Sequence, residues 1–503
     1  MRKKILILCL LVSLLLTSCG GEETNSTDSV TETTGTADTV SEPAETEDEL
    51  SARADVDDGM GEADFGGYSF RIIADTNASG VNYRYCTAEE ETGEVVMDAV
   101  FRRNNAIAER FNCTIELVYT EEAGGVRNYA EKAVTAGDDA FDLYNSHVIQ
   151  AANAAINNIF LNWYDMPQVD LTRPWWAQTI IDTLTYKDQL YLAVGDFALS
   201  SIGQTWCTFY NSTLGADYGM GSYFDTVNEG KWTFDFMINL AKDAYTDVNG
   251  NGEADNDDRF GYLTQHQSSI NAFLWAFDNP ILMKEGDNME FVYHTEKLSA
   301  IVEKLVNTFR HGDAGLRTDV TYVSPYNGST HNYNVDMFAA GKAVFTHGVI
   351  SQSLDYFRDM EDNYSILPYP KWDEQQKEYH TMADGSHAVM AVPKTLVGDA
   401  QNIAGTIIEV LNAESWKYVV PAYYDTALKF KGTRDAESIA MLDLIVDSRV
   451  FDMGYIYSGG IGPGFMLQKL FTEDNTNSES YLAANASAFE THYEKVFASF
   501  ENE

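Results

Sequence analysis

The sequence of 503 residues is short of positive charge, with 33 lysines and arginines against 77 aspartates and glutamates. Its formal net charge is −44. Binding to nucleic acid or to anionic lipid requires clustered basic side chains that neutralise phosphate groups. The shortage therefore excludes both as the main activity. The length suggests more than one domain, and the 45% of hydrophobic residues are ample for a packed core.

Long apolar runs and cysteines are also scarce. Apart from Ile5–Leu16, no run approaches the roughly 18 apolar residues that span a bilayer. Of the five cysteines, only Cys86, Cys113 and Cys207 lie beyond the N-terminal region. They allow at most one disulfide, so the sequence does not predict a disulfide-built scaffold.

The N-terminal region resembles a bacterial export signal. Basic residues precede Ile5–Leu16, which suits the central part of a signal peptide. The following residues, Thr17-Ser18-Cys19, complete a resemblance to the lipobox of bacterial lipoproteins. That resemblance implies a lipoprotein signal peptide over 1–18 and a lipid on Cys19 that anchors the protein to the outer face of the cell membrane. An ordinary signal peptide that contains a cysteine is the alternative.

Residues 19–64 read as a spacer. From residue 20 to residue 64 there are fifteen acidic side chains and one basic side chain, Arg53. Large apolar side chains are almost absent, so the segment cannot bury enough area to offset its chain entropy. We expect a lipidated, disordered acidic stalk.

The body that follows alternates strand and helix patterns. The strand candidates are Tyr68–Ala74, Cys113–Tyr119 and Phe141–Tyr144, and the helix candidates are Val95–Phe111 and Tyr129–Ala136. This order predicts an α/β lobe with a largely parallel sheet, in which ligands bind beyond the carboxyl ends of the strands. Asn145, Ser146 and His147 lie at the carboxyl end of the third strand and are therefore candidate ligand contacts.

One segment, Asp247–Asp258, fits the twelve-residue calcium loop. The predicted ligands are Asp247, Asn249, Asn251, the backbone carbonyl of Glu253, Asp255 and Asp258. Asp258 replaces the longer glutamate usual at the last position. A helical pattern precedes the loop and a strand pattern follows it, so we expect structural calcium rather than a sensor. An acidic surface loop without metal is the alternative.

The local signatures of catalysis are missing. The sequence has no zinc-binding His-Glu-x-x-His pair, no phosphate-binding Gly-Lys loop and no Gly-x-Ser-x-Gly nucleophile turn. We therefore predict that the protein is not an enzyme. The many carboxylates leave a glycosidase pair open, although no local pattern marks one.

Aromatic residues point to a neutral polar ligand. Tryptophan and tyrosine rings stack on sugar rings, while aspartate, asparagine, glutamine and histidine bond to hydroxyls. Trp206, Trp275 and His347 are the candidates from the second half of the body. Any single tryptophan here is more often a core residue than a site residue, so the prediction depends on the aromatic residues as a group, and His147 and His347 could be plain structural residues.

Four stretches resemble, in order along the chain, the extracellular solute-binding proteins of carbohydrate ABC importers. They are Thr208–Asn211, Gly230–Asp235, Met337–Gly348 and Leu367–Pro370. The third is similar to that family's Phe-x-x-Gly-Lys-Ala-Ala-Met segment, with His347 near the place of its usual tryptophan. The resemblance implies an α/β, two-lobed periplasmic-binding-protein-like fold (type II) with the ligand cleft between the lobes. The expected lobes are 65–165 plus 386–425, and 166–385 plus 426–503.

The resemblance also implies a function. We expect a monomeric, lipid-anchored extracellular protein that captures a sugar or oligosaccharide for an ABC importer, whose permease and ATPase are separate chains. A surface glycan-degrading enzyme and a calcium-dependent adhesion or glycan-binding module without a transport role are the alternatives. Within the receptor class, a peptide or another polar solute stays open, because a fold does not fix a function.

Overall fold

The computed structural model describes residues 52–75, 83–119, 125–286, 288–319, 333–429 and 436–501. The predicted signal peptide 1–18, the predicted lipid site Cys19 and the predicted stalk up to residue 51 lie outside the described residues. Within the described ranges, every helix is too short or too polar to span a bilayer.

The strands of the described residues form two main sheets and two small ones. In chain order they are β1 (Tyr68–Ile73), β2 (Cys113–Val118), β3 (Leu143–His147), β4 (Trp206–Asn211), β5 (Phe260–Thr264), β6 (Leu282–Glu285), β7 (Asn288–Phe291), β8 (Leu316–Thr318), β9 (Ala343–Val349), β10 (Tyr364–Leu367), β11 (Thr381–Met382), β12 (Ala388–Ala391) and β13 (Arg449–Val450).

The first main sheet has the order β12-β3-β1-β2. β1 runs parallel to β2 and β3, as the alternating strand and helix pattern predicts, while β12 is antiparallel to β3. This antiparallel pairing carries β3 as far as His147, which lies opposite Ala388. Helix Val95–Phe111 has the predicted bounds and buries Val100 and Phe111.

The second main sheet has the order β10-β4-β9-β5-β8. β5 is parallel to β8 and β9, whereas β4 is antiparallel to β9 and β10. Its three inner strands, β4, β9 and β5, are completely buried. Most of their residues are hydrophobic, because helices and loops cover the two faces of the sheet.

Helices surround the sheets. The α-helices are Val95–Phe111, Gly125–Ala136, Val148–Ala155, Gln178–Leu184, Ser200–Gly203, Ser212–Asp217, Phe224–Asn228, Phe234–Ala241, Ser268–Ala276, Glu296–Phe309, Tyr333–Ala339, Gln352–Asp355, Asp399–Glu414, Val420–Lys429, Ala436–Asp447, Met453–Ile456, Met466–Thr472 and Ser478–Ser499. Trp163–Asp165 and Pro463–Phe465 are 3-10 turns, and Ser415–Val419 is a π-helical stretch.

Two long connections join the two main sheets. The chain passes from the first sheet to the second between β3 and β4, and returns between β10 and β12. β11 pairs in parallel with β13 along the return path, and an antiparallel bridge joins Thr205 to Ala383. The molecule thus has two α/β halves connected by crossing segments. The lobe boundaries given above stay a prediction.

The three cysteines of the body are free thiols and buried. Burial raises the pKa of Cys86 and of Cys113 to about 11, so both thiols are protonated at neutral pH. The sequence allowed one disulfide among the three, and none is formed. The fold therefore depends on its core and hydrogen bonds.

The described end of the predicted stalk, residues 52–64, lies against the body. Asp58 is buried and pairs with Arg110, whose Nη1 lies 2.5 Å from Asp58 Oδ2. Burial opposes ionisation of Asp58, but the hydrogen bonds and charge of Arg110 lower the pKa of this carboxyl. The Arg53 guanidinium lies 4.9 Å from the ring centre of Trp416. In this stretch the chain is therefore fixed to the body.

Candidate functional site

A cavity of about 670 Å³ is walled by residues from both halves of the molecule. Trp206 at the start of β4 and His347 in β9 contribute from the second sheet, together with Gln265, Gln267 and Ser268 after β5. Asp384 contributes from the crossing segment between β11 and β12. We call this cavity the cleft. Its size suits a small organic ligand.

Trp206 is held in the cleft wall by a hydrogen bond from its indole. It is only 5% exposed, and its Nε1 donates to Asp384 Oδ2 at 3.0 Å. The other carboxylate oxygen, Oδ1, lies 2.7 Å from Ser386 Oγ. Gln204, which also lines the cleft, has its Oε1 3.1 Å from the same hydroxyl oxygen. These contacts fix an aromatic ring beside an oriented carboxylate, a combination suited to a sugar.

His347 is fully buried and neutral. Its ring stacks on Tyr369 with 4.0 Å between centroids, and its Nδ1 lies 2.6 Å from the Tyr262 hydroxyl. Its Nε2 has no hydrogen-bond partner among the described residues. Burial lowers the pKa of His347 well below its usual value. A neutral imidazole in the wall of the cleft can form a hydrogen bond with a ligand hydroxyl.

Asn334 places a second buried polar atom in the cleft wall. Its Nδ2 donates to Thr346 Oγ1 at 2.9 Å and to the backbone carbonyl of His347 at 3.2 Å. Its Oδ1 is buried and has no partner within the described part of the chain. A buried polar atom without a partner costs about 1–3 kcal/mol. Asn334 Oδ1 and His347 Nε2 are thus two buried polar atoms without a partner among the described residues.

An ion pair, Arg84–Asp355, also lies in the cleft wall, with 2.7 Å between Nη1 and Oδ1. Arg103 on the first half holds the backbone next to Arg84 through a hydrogen bond to the carbonyl of Tyr85. Asp355 belongs to helix Gln352–Asp355, which follows β9 of the second sheet. Burial by itself lowers the pKa of Arg84, but the hydrogen bond and the charge of Asp355 raise this pKa above its usual value. The pair therefore connects the two halves.

The three candidates at the end of β3 lie outside the cleft wall. Asn145 and Ser146 are buried, and Ser146 Oγ accepts the backbone N–H of Asp75 at 3.2 Å. His147 is the residue that precedes helix Val148–Ala155. Burial lowers the pKa of His147, and the charge of Asp384 opposes this shift. The structure therefore places these residues in the sheet, near Asp384 but not along the cavity.

Trp275 belongs to the core. It is 2% exposed, and its Nε1 donates to the buried Asp452 at 2.8 Å. Its ring also contacts that of Tyr455, with 5.0 Å between centroids. The indole is thus satisfied by protein groups away from the cleft, and we do not include Trp275 in the candidate site.

The predicted calcium loop is an exposed turn closed by its own hydrogen bonds. Asp247 accepts the backbone N–H groups of the two glycines of the loop at 2.7 and 2.8 Å. The Nδ2 atoms of Asn249 and Asn251 lie 3.0 and 2.7 Å from Asp255 Oδ2. The hydrogen bonds that Asp255 receives lower its pKa. Side chains at the third, fifth and ninth positions of the loop therefore meet.

Asp258 has a different environment from the other predicted calcium ligands. It is fully buried, and its oxygens accept from Val248 N, Asp255 N and the Tyr245 hydroxyl. The described residues contain no group of three or more acidic, histidine or cysteine side chains placed to hold a metal. The carboxylate, amide and carbonyl oxygens at the other five positions suit a hard cation, whereas Asp258 closes the loop.

Several cleft residues carry no recognisable signal in the sequence. Asp384 and Ser386 stand in a short polar stretch between two apolar strands, which indicates a loop but not a binding role. Gln204, Asn334 and Arg84 meet in the cleft only because the two halves fold together. Trp206 and His347 are the predicted ligand residues that the structure places in the cleft wall.

The fold has relatives among solved structures. No protein-family model matches the chain, and no curated protein does. A cyclo/maltodextrin-binding protein complexed with maltotetraose is similar at 13% identity and a TM-score of 0.53, covering 87% of this chain and 98% of its own. An ABC substrate-binding protein from Listeria monocytogenes in complex with cycloalternan is similar at 12% identity and 0.51, covering 87% and 100%.

These likenesses extend over most of this chain and nearly all of each neighbour. At such low identity they show the fold alone. They confirm the predicted fold class: the chain has the two-lobed α/β fold of ABC solute-binding proteins.

Proposed function

We propose that the protein is a receptor that captures an extracellular sugar or oligosaccharide and delivers it to an ABC importer. The observation that carries this proposal is the cleft between the two halves. Its wall combines the Trp206 ring, the Asp384 carboxylate and the polar residues His347 and Asn334. A ligand that touches both halves favours the closed arrangement of a two-lobed protein.

The charges in the cleft disfavour an anionic ligand. Arg84 and Asp355 neutralise each other, and His347 carries no charge. Asp384 is the carboxylate that faces the aromatic ring, and such groups bind sugar hydroxyls as acceptors. The likeness to proteins in complex with maltotetraose and with cycloalternan supports a carbohydrate.

A sugar panel tests the proposal. The full chain is mixed with malto-, cello-, xylo- and manno-oligosaccharides of two to six units, and its thermal unfolding is followed. Because a ligand that binds only the folded state stabilises it by RT ln(1 + [L]/Kd), a micromolar sugar at millimolar concentration raises stability by about 4 kcal/mol. We expect one series to raise the unfolding temperature. If none of the sugars did so, the proposed ligand class would be wrong.

Hydrolysis of the bound glycan is not part of the proposal. The two oxygens of Asp384 accept from Trp206 and Ser386, and Asp355 pairs with Arg84. Glycoside hydrolysis needs one carboxyl group that donates a proton and a second that attacks or activates water. Neither carboxylate is arranged as a proton donor, which supports binding without turnover. Chromatography of the sugar after long incubation checks this point, with unchanged sugar as the expected result.

The lipid anchor is part of the same proposal. Cys19 follows an apolar stretch that ends in Leu16, and acylation there would keep the receptor at the outer face of the membrane. Expression with a labelled fatty acid in a bacterial host should label the wild type and not Cys19→Ala. Equal labelling of both proteins would contradict lipidation at Cys19.

We also propose structural calcium in the loop Asp247–Asp258, bound by Asp247, Asn249, Asn251, Asp255 and the Glu253 carbonyl. Calcium should raise the unfolding temperature of the wild type above its value in chelator, because the ion binds the folded loop. Asp247→Asn should abolish this difference, while Asp313→Asn, at an exposed aspartate outside the loop, should preserve it. No effect of calcium on the wild type would contradict the site.

A further inference from the structure

A second cavity adjoins the cleft. It has a volume of about 480 Å³ and lies between the segment after β5, the glycine-rich turn Gly459–Gly464 and the helices Met466–Thr472 and Ser478–Ser499. We call it the side groove. The glycine-rich turn does not line the cleft, but it forms part of the wall of the side groove.

The segment Gln265–Ser268 is the ridge between the two cavities. Gln265 and Ser268 line the cleft, His266 lines the side groove, and Gln267 lines both. The side chain of Gln267 is exposed at this junction. A chain-like ligand can therefore pass from one cavity into the other along Gln267 without crossing protein.

The ridge and the turn are held in place. His266 is bound to Asp319 through its backbone N–H and through Nδ1, both at 2.7 Å. On helix Ser268–Ala276, Asn271 donates to the carbonyl of Gly464 at 2.7 Å, which ties the glycine-rich turn to the ridge. The same short helix thus supports one wall of each cavity, and the path is formed before any ligand binds.

The chemistry of the side groove also resembles that of the cleft. Phe465 and Tyr481 provide half-buried aromatic rings, and Gln468 and Asn485 provide carboxamides. Of the charged residues, Lys469 and Glu473 carry opposite signs. Aromatic rings with carboxamides suit the apolar faces and the hydroxyls of a sugar ring, and the balanced charge does not select an ion.

We propose that the ligand is an oligosaccharide whose chain leaves the cleft over Gln267 and places further sugar units in the side groove. This inference rests on the proposed function, because it needs a sugar in the cleft. It narrows the substrate class from sugars in general to chains longer than the cleft alone can hold.

Calorimetric titration of the full chain against each series from two to six units tests the proposal. In the series that binds, we expect the affinity of the wild type to rise by about tenfold or more beyond the length that fills the cleft. Tyr481→Ala, which removes the ring, and Asn485→Trp, which fills the groove, should lose this gain. Both should bind the shortest ligand as the wild type does, which also shows that they fold.

Asn402→Trp, at an exposed asparagine on helix Asp399–Glu414, is the matched control and should keep the gain. The inference would be overturned if longer sugars bound no more tightly than the shortest one, or if both groove variants kept the gain in affinity with length. Either result would leave the proposed function standing. Absence of binding by every series would overturn the proposed function, and the inference with it.

Discussion

Trp206 is the residue on which sugar binding should depend most. Its ring lines the cleft and its Nε1 orients Asp384. Trp206→Phe keeps an aromatic ring but removes the N–H group and part of the stacking surface. We expect about a tenfold loss of sugar affinity, since hydrogen bonds to charged groups contribute about 1.5–3 kcal/mol. Calorimetric titration measures it.

Trp372→Phe provides the control for this substitution. Trp372 is partly buried against Phe277 and lies outside the residues that line the cleft. Trp372→Phe should therefore change the sugar affinity little. Any general effect of losing an indole should appear in both variants. Equal losses in the two variants would argue against Trp206 as a ligand contact.

His347 should make stability depend on pH. In the unfolded chain a histidine takes up a proton below about pH 6.5, whereas burial lowers the pKa of His347 and keeps the folded ring neutral. The unfolded state then binds more protons, so stability falls as pH falls, by up to about 1.4 kcal/mol per pH unit. His347→Gln should lose less stability than the wild type on acidification from about pH 7.5 to 5.5.

Urea unfolding of both proteins at the two pH values measures this difference. The pKa of His387 is also lowered by burial, to about 4, but His387 is present in both proteins and its contribution cancels. Parallel loss of stability in wild type and variant would show that the folded His347 takes up a proton as readily as the unfolded one.

Only some of the individual cleft residues could be predicted from the sequence. Trp206 and His347 were identified because aromatic and histidine side chains are typical of sugar sites. The same reasoning selected Trp275, which instead satisfies its N–H with buried Asp452. Asp384 and Asn334 act through contacts with residues distant in sequence, which no local pattern encodes.

At the scale of elements, Gly261 shows how closely β5 approaches the helix Phe234–Ala241. A Cβ atom at Gly261 would clash with the backbone carbonyl of Ala241, which no side-chain rotation can relieve. Gly261→Ala should lower the free energy of unfolding by about 1–3 kcal/mol, the usual cost of overpacking. Urea denaturation measures the change.

Gly221→Ala is the matched substitution, because a Cβ there meets no atom within 4 Å. Its stability should stay within about 0.5 kcal/mol of the wild type, as for most surface changes. If both substitutions lowered the free energy of unfolding by the same amount, this would contradict the close contact of β5 with this helix.

Elements with their own periodic pattern were predicted well, and those that depend on distant partners were not. Helix Val95–Phe111 has its predicted bounds because a full apolar stripe fixes it. The third strand was predicted over Phe141–Tyr144, but the structure has it over Leu143–His147. Its polar end is a strand because β12, more than two hundred residues later, supplies antiparallel hydrogen bonds to it.

At the scale of the whole molecule, the Arg84–Asp355 pair should favour the closed arrangement of the two halves. The side chains are 40% and 27% exposed, so the pair contributes modestly, about 0.2–1 kcal/mol. Arg84→Gln should enlarge the radius of gyration of the sugar-free protein, and the difference from the wild type should shrink at high salt. Small-angle scattering at two salt concentrations measures it.

Asp355→Asn should have the same effect, and the double variant should be no more open than either single one, because the first change already breaks the pair. Additive opening in the double variant would mean that the two residues act separately.

The acidic residues of the chain are unevenly distributed. The net charge of −44 includes the acidic segment before residue 65 and the loop Asp247–Asp258, while the cleft pairs its cation with an anion. The overall charge therefore says little about the ligand, whereas the charges in the cleft wall, one cation against two carboxylates, disfavour an anionic one.

Calorimetric titration of the full chain against the four oligosaccharide series, with chromatography of the sugar afterwards, tests the central claim most directly. The account predicts that at least one series binds with micromolar or tighter affinity, that Trp206→Phe weakens it, and that the sugar is recovered unchanged. No binding by any series, or shortened sugar products, would contradict a sugar receptor without turnover.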